Sequence, residues 1–143
     1  MDFPDHCLRG ISKGHIQNTL PELNKVSAVV FYPDESTSAY RLDSGTETSI
    51  NWEDDDKALE FTLNQTKDDL PQFPGGAVRL SRTAIEYVNT RPGMQGSLSY
   101  ERAPLPENQY HGNIVFRANL SKHVIKMIAA ALAMESSQII KKK

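Results

Sequence analysis

Residues 121–135 read SKHVIKMIAAALAME. Val124, Ile125, Ile128, Ala131 and Leu132 recur at helical spacing and form one apolar stripe, so the segment predicts an amphipathic helix. Asn119 or Ser121 stands where a helix N-cap is needed. Burying Val124, Ile125, Ile128 and Leu132 would contribute on the order of 6–12 kcal/mol before entropy costs. The opposite side carries Lys122 and Lys126, then Ala129, Ala130 and Ala133, so the helix ends apolar nearly all round. Small side chains there permit close backbone approach. Either this end lies under other parts of the chain, or Ala129, Ala130 and Ala133 meet a second copy or another protein.

A stripe of this kind needs a surface beneath it, and the segments before it have the period of strands. Lys25 to Tyr32 (KVSAVVFY) is apolar on both alternating sets and predicts a central strand covered on both faces. Ala39 to Leu42 is a short candidate strand, followed by the turn signal Asp43-Ser44-Gly45. Ile50 and Trp52 alternate with polar neighbours, and so do Leu59, Phe61 and Leu63. Between them stand Glu53, Asp54, Asp55 and Asp56. Pairing Ile50 with Leu59 and Thr48 with Phe61 puts the apolar side chains on one side of a hairpin with the acidic run at its tip. Further strands are expected at Ala77 to Leu80, at Gly96 to Glu101, and around Ile114, Phe116 and Ala118. Ser81 predicts the cap of a short helix from Arg82 to about Asn89, burying Ala84, Ile85 and Val88. Pro71 to Gly76 and Arg91-Pro92-Gly93 are breaks, and Arg102 to Gly112 is a polar loop.

The elements together predict an α+β protein. A mainly antiparallel, curved sheet of roughly five to seven strands packs against the long C-terminal helix, with one short helix beside it. With 143 residues, the chain predicts a single domain over 1–143. Residues 1–24 are expected as an irregular N-terminal segment and 136–143 as a frayed basic tail. Hydrophobic residues make up 38% and charged residues 24%, which argues against global disorder. Cys7 is the single cysteine, which excludes an intrachain disulfide and fits a reducing compartment. The start lacks a signal-peptide pattern, and the longest apolar run, Met127 to Met134, is too short to span a bilayer. The chain is expected to be soluble and cytoplasmic.

The net charge of −2 hides a division. Residues 1–71 hold 6 Lys and Arg against 14 Asp and Glu; residues 72–143 hold 10 against 4. One reading has the halves fold together and neutralise each other. The other has an acidic and a basic lobe suited to charge-steered binding.

Candidate chemistry is sparse. Glu53 to Asp56 lacks the alternate spacing and glycine of a calcium loop, and two carboxylates about 6 Å apart in water repel by only roughly 0.7 kcal/mol. The run therefore reads as a solvated turn or a docking tip, and no metal site is assigned. His6, Cys7 and His15 supply too few ligands for zinc. A catalytic alternative pairs Cys7 with His111, since a thiol needs a basic partner to ionise near neutral pH. Tyr110-His111-Gly112-Asn113 is the best single loop candidate, against the simpler reading of a tight lead-in to a strand. No phosphate loop, nucleophile elbow or paired-carboxylate signature is present, and no cofactor is implied. Arg79, Arg82, Arg91, Arg102, Arg117, Lys122 and Lys126 enrich the second half in positive charge, with tyrosines between them. They are scattered and match no nucleic-acid module.

The function predicted is a small non-enzymatic protein-binding module, of adaptor or inhibitor type. Its contact surfaces would be Trp52 if its ring is exposed, Glu53, Asp54, Asp55, Asp56, and the face bearing Ala129, Ala130 and Ala133. A homodimer through that face is the related possibility. The alternatives are an enzyme using Cys7 and His111, and a weak nucleic-acid binder using the basic residues; no membrane partner is expected.

Overall fold

The computed structural model describes residues 3–33 and 45–142. In chain order its elements are β1 (His6–Gly10), a 3-10 helix (Lys13–Asn18), β2 (Thr19–Leu20), β3 (Lys25–Val26), a second 3-10 helix (Ala28–Phe31), β4 (Thr46–Trp52), α1 (Ala58–Leu63), β5 (Thr66–Lys67), β6 (Leu70–Pro71), β7 (Ala77–Ser81), α2 (Arg82–Val88), β8 (Leu98–Arg102), β9 (His111–Phe116) and α3 (Lys122–Glu135). The fold is α+β. Five strands form one antiparallel sheet in the order β7-β1-β4-β9-β8, and β2-β3 and β5-β6 are small separate hairpins. The expected strand at Ala39 to Leu42 and most of its following turn lie outside the described residues.

The register sorts the sheet into two unlike sides. Cys7 faces Trp52 and Leu80, whereas Leu8 faces Asn51 and Arg79. Successive side chains on a strand point to opposite sides. Cys7, Ile50, Trp52, Val78, Leu80, Leu98, Ile114 and Phe116 thus share one side, and all belong to the main core. α3 roofs this side with Ile125, Ile128 and Leu132, and α2 adds Ala84, Ile85 and Val88. Both helices start where the sequence places their caps. Ser81 Oγ accepts from the Ala84 N–H at 3.0 Å, and Ser121 Oγ from the Val124 N–H at 3.1 Å. Trp52 fits because Gly112 lies beneath it; a Cβ there would overlap the indole Nε1 and the Glu101 carbonyl.

Several expectations are corrected. The N-terminal segment is not irregular, since β1 is the second strand of the sheet. Its pattern is obscured by Arg9, which lies in the core and donates from Nε to the Val30 carbonyl at 2.9 Å and from Nη1 to the Ser49 carbonyl at 2.8 Å. The run Lys25 to Tyr32 is not a central strand. Only Lys25 and Val26 pair, and Ala28–Phe31 coil into the 3-10 helix that α3 covers, burying Val30 and Phe31. A short run apolar on all sides satisfies either geometry. The hairpin across residues 50–63 does not form, because its second arm is α1. Ala58 and Thr62, one helical turn apart, are the buried pair. Ser136 to Ile140 are not a frayed tail either. Ser137 donates to the Arg79 carbonyl at 2.8 Å, Ala77 and Ile140 exchange backbone hydrogen bonds, and the segment thereby covers the outer edge of β7.

Candidate functional site

The second side of the sheet carries the polar chemistry. Leu8, Asn51 and His111 stand side by side on β1, β4 and β9. α1 covers part of this side, with Leu8, Ala58 and Tyr110 forming a small second core against Leu59 and Phe61. The Phe73 ring lies where a Cβ of Gly10 would be, so glycine lets the loop after β6 close over β1. Between α1, the β5-β6 hairpin, the first 3-10 helix and the loop after β8 runs an open groove of about 1400 Å³. Leu70 at its edge is 67% exposed and Leu105 is 42% exposed.

A chain of side-chain amides ties these walls to the floor. Asn51 Nδ2 donates to Thr62 Oγ1 at 2.9 Å and to Gln65 Oε1 at 2.6 Å. Asn51 Oδ1 accepts from Asn108 Nδ2 at 2.8 Å, and Asn108 Oδ1 accepts from the Tyr110 N–H at 3.0 Å. Gln65 Nε2 reaches Gln72 Oε1 at 3.3 Å. Thr62 in turn donates to the Ala58 carbonyl at 2.8 Å, inside α1. Asn51, Thr62 and Asn108 are buried, so the network satisfies polar groups that would otherwise be costly. His111 also lines the groove. Its Nδ1 lies 2.8 Å from the Ala103 carbonyl. A carbonyl only accepts, so Nδ1 carries the proton and Nε2 of the neutral ring is an acceptor.

The acidic run is engaged with the basic half of the chain. Glu53 makes a bidentate pair with Arg79, both bonds at 2.7 Å. Asp54 pairs with Arg102 at 2.6 and 3.0 Å. Asp55 accepts from the Lys57 N–H at 2.9 Å and from the Tyr110 hydroxyl at 3.0 and 3.2 Å, which fixes the approach to α1. Asp56 is exposed. Arg82 lies 3.8 Å from Asp5 and 3.6 Å from Glu86. Three of these ion pairs join the acidic half to the basic half, as expected if the halves fold together. Glu53 and Arg79 also line a shallow depression of about 670 Å³ with Pro4, Asp5 and His6.

The remaining sequence candidates are not brought together. Trp52 is fully buried and donates from Nε1 to the Glu101 carbonyl at 3.0 Å, so its ring is not a contact surface. Phe3 and Tyr100 pack on it with ring centroids at 5.0 and 5.5 Å. Ala129 and Ala133 lie in the core beneath the helix, and Ala130 alone of that face is exposed. Cys7 and His111 are not partners. Cys7 sits opposite Trp52 and His111 opposite Asn51, and consecutive residues of β4 face opposite sides. Cys7 is 0% exposed, and burial, with Glu53 nearby, pushes its thiol up to about 12. Of the basic residues, Arg79, Arg82 and Arg102 are paired with carboxylates; Arg91 belongs to the α2–β8 connection, Arg117 to the β9–α3 connection, and Lys122 and Lys126 to α3. Among the described residues no group of three His, Cys, Asp or Glu side chains could hold a metal ion, and no helix is long and apolar enough to cross a membrane.

Sequence reasoning missed Asn51, Gln65, Gln72 and Asn108. The alternation around Ile50 and Trp52 contains the signal for Asn51, because it puts that amide on the side away from the core. The other three lie in connections whose positions depend on tertiary packing. No protein-family model, curated protein or solved structure matches the chain.

Proposed function

We propose that the chain is a small non-enzymatic protein-binding module and that its working surface is the groove over the polar side of the sheet. One observation carries this reading. One side of the sheet is roofed by α2 and α3, while the other keeps an open groove of about 1400 Å³ with Leu70 and Leu105 at its rim. Concave surfaces that combine apolar side chains with a few placed polar groups are the usual composition of a binding site. The earlier candidate surfaces are less suitable. Glu53, Asp54 and Asp55 already hold Arg79, Arg102 and Tyr110, and Trp52 is inaccessible. Against an enzyme using Cys7 stands a protonated thiol with no room for substrate. Against a nucleic-acid binder stands the neutralisation of Arg79, Arg82 and Arg102 by carboxylates. A cytoplasmic location fits a chain whose one cysteine is unpaired.

Site-specific photo-crosslinking tests the assignment. A crosslinker replacing Leu70 or Leu105 should trap a protein partner in cells, and one replacing Ala130 or Met134 on the far side of the molecule should not. Trapping from the α3 positions alone, or from none, would overturn it. Native mass measurement separates a second copy of the chain from a different protein.

A further inference from the structure

The same groove indicates what part of a partner it holds, an inference that rests on the protein-binding reading. We infer that the groove takes an extended polypeptide segment of low net charge. Gln72 and His111 hydrogen-bond its backbone, and its apolar side chains lie against Leu70 and Leu105.

The amide network has a direction. The Tyr110 N–H donates to Asn108, Asn108 to Asn51, Asn51 to Gln65, and Gln65 to Gln72. Each bond polarises the next, so the final donor is strengthened. That donor is Gln72 Nε2, which bonds nothing among the described residues, while Gln72 lines the groove. On the floor, the Ala103 carbonyl fixes the proton on His111 Nδ1 and leaves Nε2 as an acceptor. The groove therefore presents a primary-amide donor and an imidazole acceptor. Their complements are a carbonyl and an N–H, the two groups that every residue of an extended peptide carries.

Charge and aromatic packing decide against a polyanion. Lys13, Lys57 and Lys67 line the groove against Glu60, Asp68 and Glu107, so it holds balanced charge. The aromatic faces that would stack bases are engaged. Phe61 lies edge-on to Tyr110 at 5.2 Å, and Phe73 is seated on Gly10.

Selection of a displayed random-peptide library on the full chain supplies the probe. Enriched peptides should bind in fluorescence polarisation and shift the side-chain NH2 resonances of Gln72. Gln72→Leu and Leu105→Ser should each weaken binding by about tenfold, the effect of losing one hydrogen bond or one apolar contact. Both variants should keep the wild-type circular dichroism. Peptides that bind the variants as tightly as the wild type, or that leave Gln72 unshifted, overturn the inference. So does a selection that enriches nothing while crosslinks through Leu105 still trap a partner; protein binding would then stand without an extended segment. Binding of an oligo-dT strand in the groove, weakening steeply with salt, would overturn the peptide and the protein-binding module together.

Discussion

Replacing Asn51 by alanine tests whether the amide network holds the groove together. Asn51 is 5% exposed and makes three side-chain hydrogen bonds, to Thr62, Gln65 and Asn108. The losses are unequal. Gln65 is half-buried and can turn to water, and Thr62 keeps its bond to the Ala58 carbonyl. Asn108 is 4% exposed, so its Nδ2 is left buried without that acceptor. An orphaned buried donor costs about 1–3 kcal/mol, and the other two bonds, whose partners find water or keep a second bond, add about 1 kcal/mol together. The expected destabilisation is about 2–4 kcal/mol, a large part of the ~5–15 kcal/mol available to a domain. At an m-value near 2 kcal/mol/M, the urea midpoint should fall by about 1–2 M. Trp52, the single tryptophan and fully buried, reports the transition by fluorescence. In the Asn51→Ala/Asn108→Ala double variant the Asn108 Nδ2 donor is gone, and the Tyr110 N–H is left without an acceptor just as in Asn108→Ala alone, so the effects should fall short of additive by about 1 kcal/mol or more. Hydrogen exchange should quicken first in α1 and the loop after β8, the walls that Asn51 anchors. A destabilisation below about 0.5 kcal/mol, or strict additivity with Asn108→Ala, would refute the network as the anchor of the groove.

Other outcomes follow from individual contacts. The Cys7 thiol should resist alkylation in the native protein at pH 8 and react at once in denaturant. Its folded value of about 12 lies above the ordinary 9.0, so the unfolded chain releases the proton first. Stability should therefore fall as pH rises from about 9 to 12, and Cys7→Ala should flatten that slope relative to wild type. Gly112→Ala should cost about 1–3 kcal/mol through overlap with the Trp52 indole and the Glu101 carbonyl, with a red shift in native emission. Asp54→Asn should cost less than about 1 kcal/mol in urea titration, because the Arg102 pair remains partly in water, with side chains 27% and 30% exposed.

Much of the architecture is legible along the chain because it depends on near neighbours. Ile50 and Trp52 alternate as a strand with one buried side requires. Ser81 and Ser121 cap helices three residues ahead, and Ile125, Ile128 and Leu132 form the stripe that covers the sheet. Local pattern fails where the deciding contact is remote. Arg9 reads as polar, yet it lies in the core because the Val30 and Ser49 carbonyls receive it. Leu59, Phe61 and Leu63 alternate like a strand, yet Ala58 packing and the Thr62 bond to Asn51 select a helical turn.

The amino-acid order alone determined that the chain has one apolar helix over a layer of period-two strands, because periodicity encodes which face must leave water. It also determined that opposite charges are concentrated in opposite halves. Only the tertiary structure decided that Glu53 and Asp54 meet Arg79 and Arg102, that Cys7 and His111 lie on different sides of the sheet, and that amides from four separate segments join beneath a groove. The physical reason is range: a side chain's periodicity is set by residues a turn or a pleat away, whereas its partner is set by strand order and register.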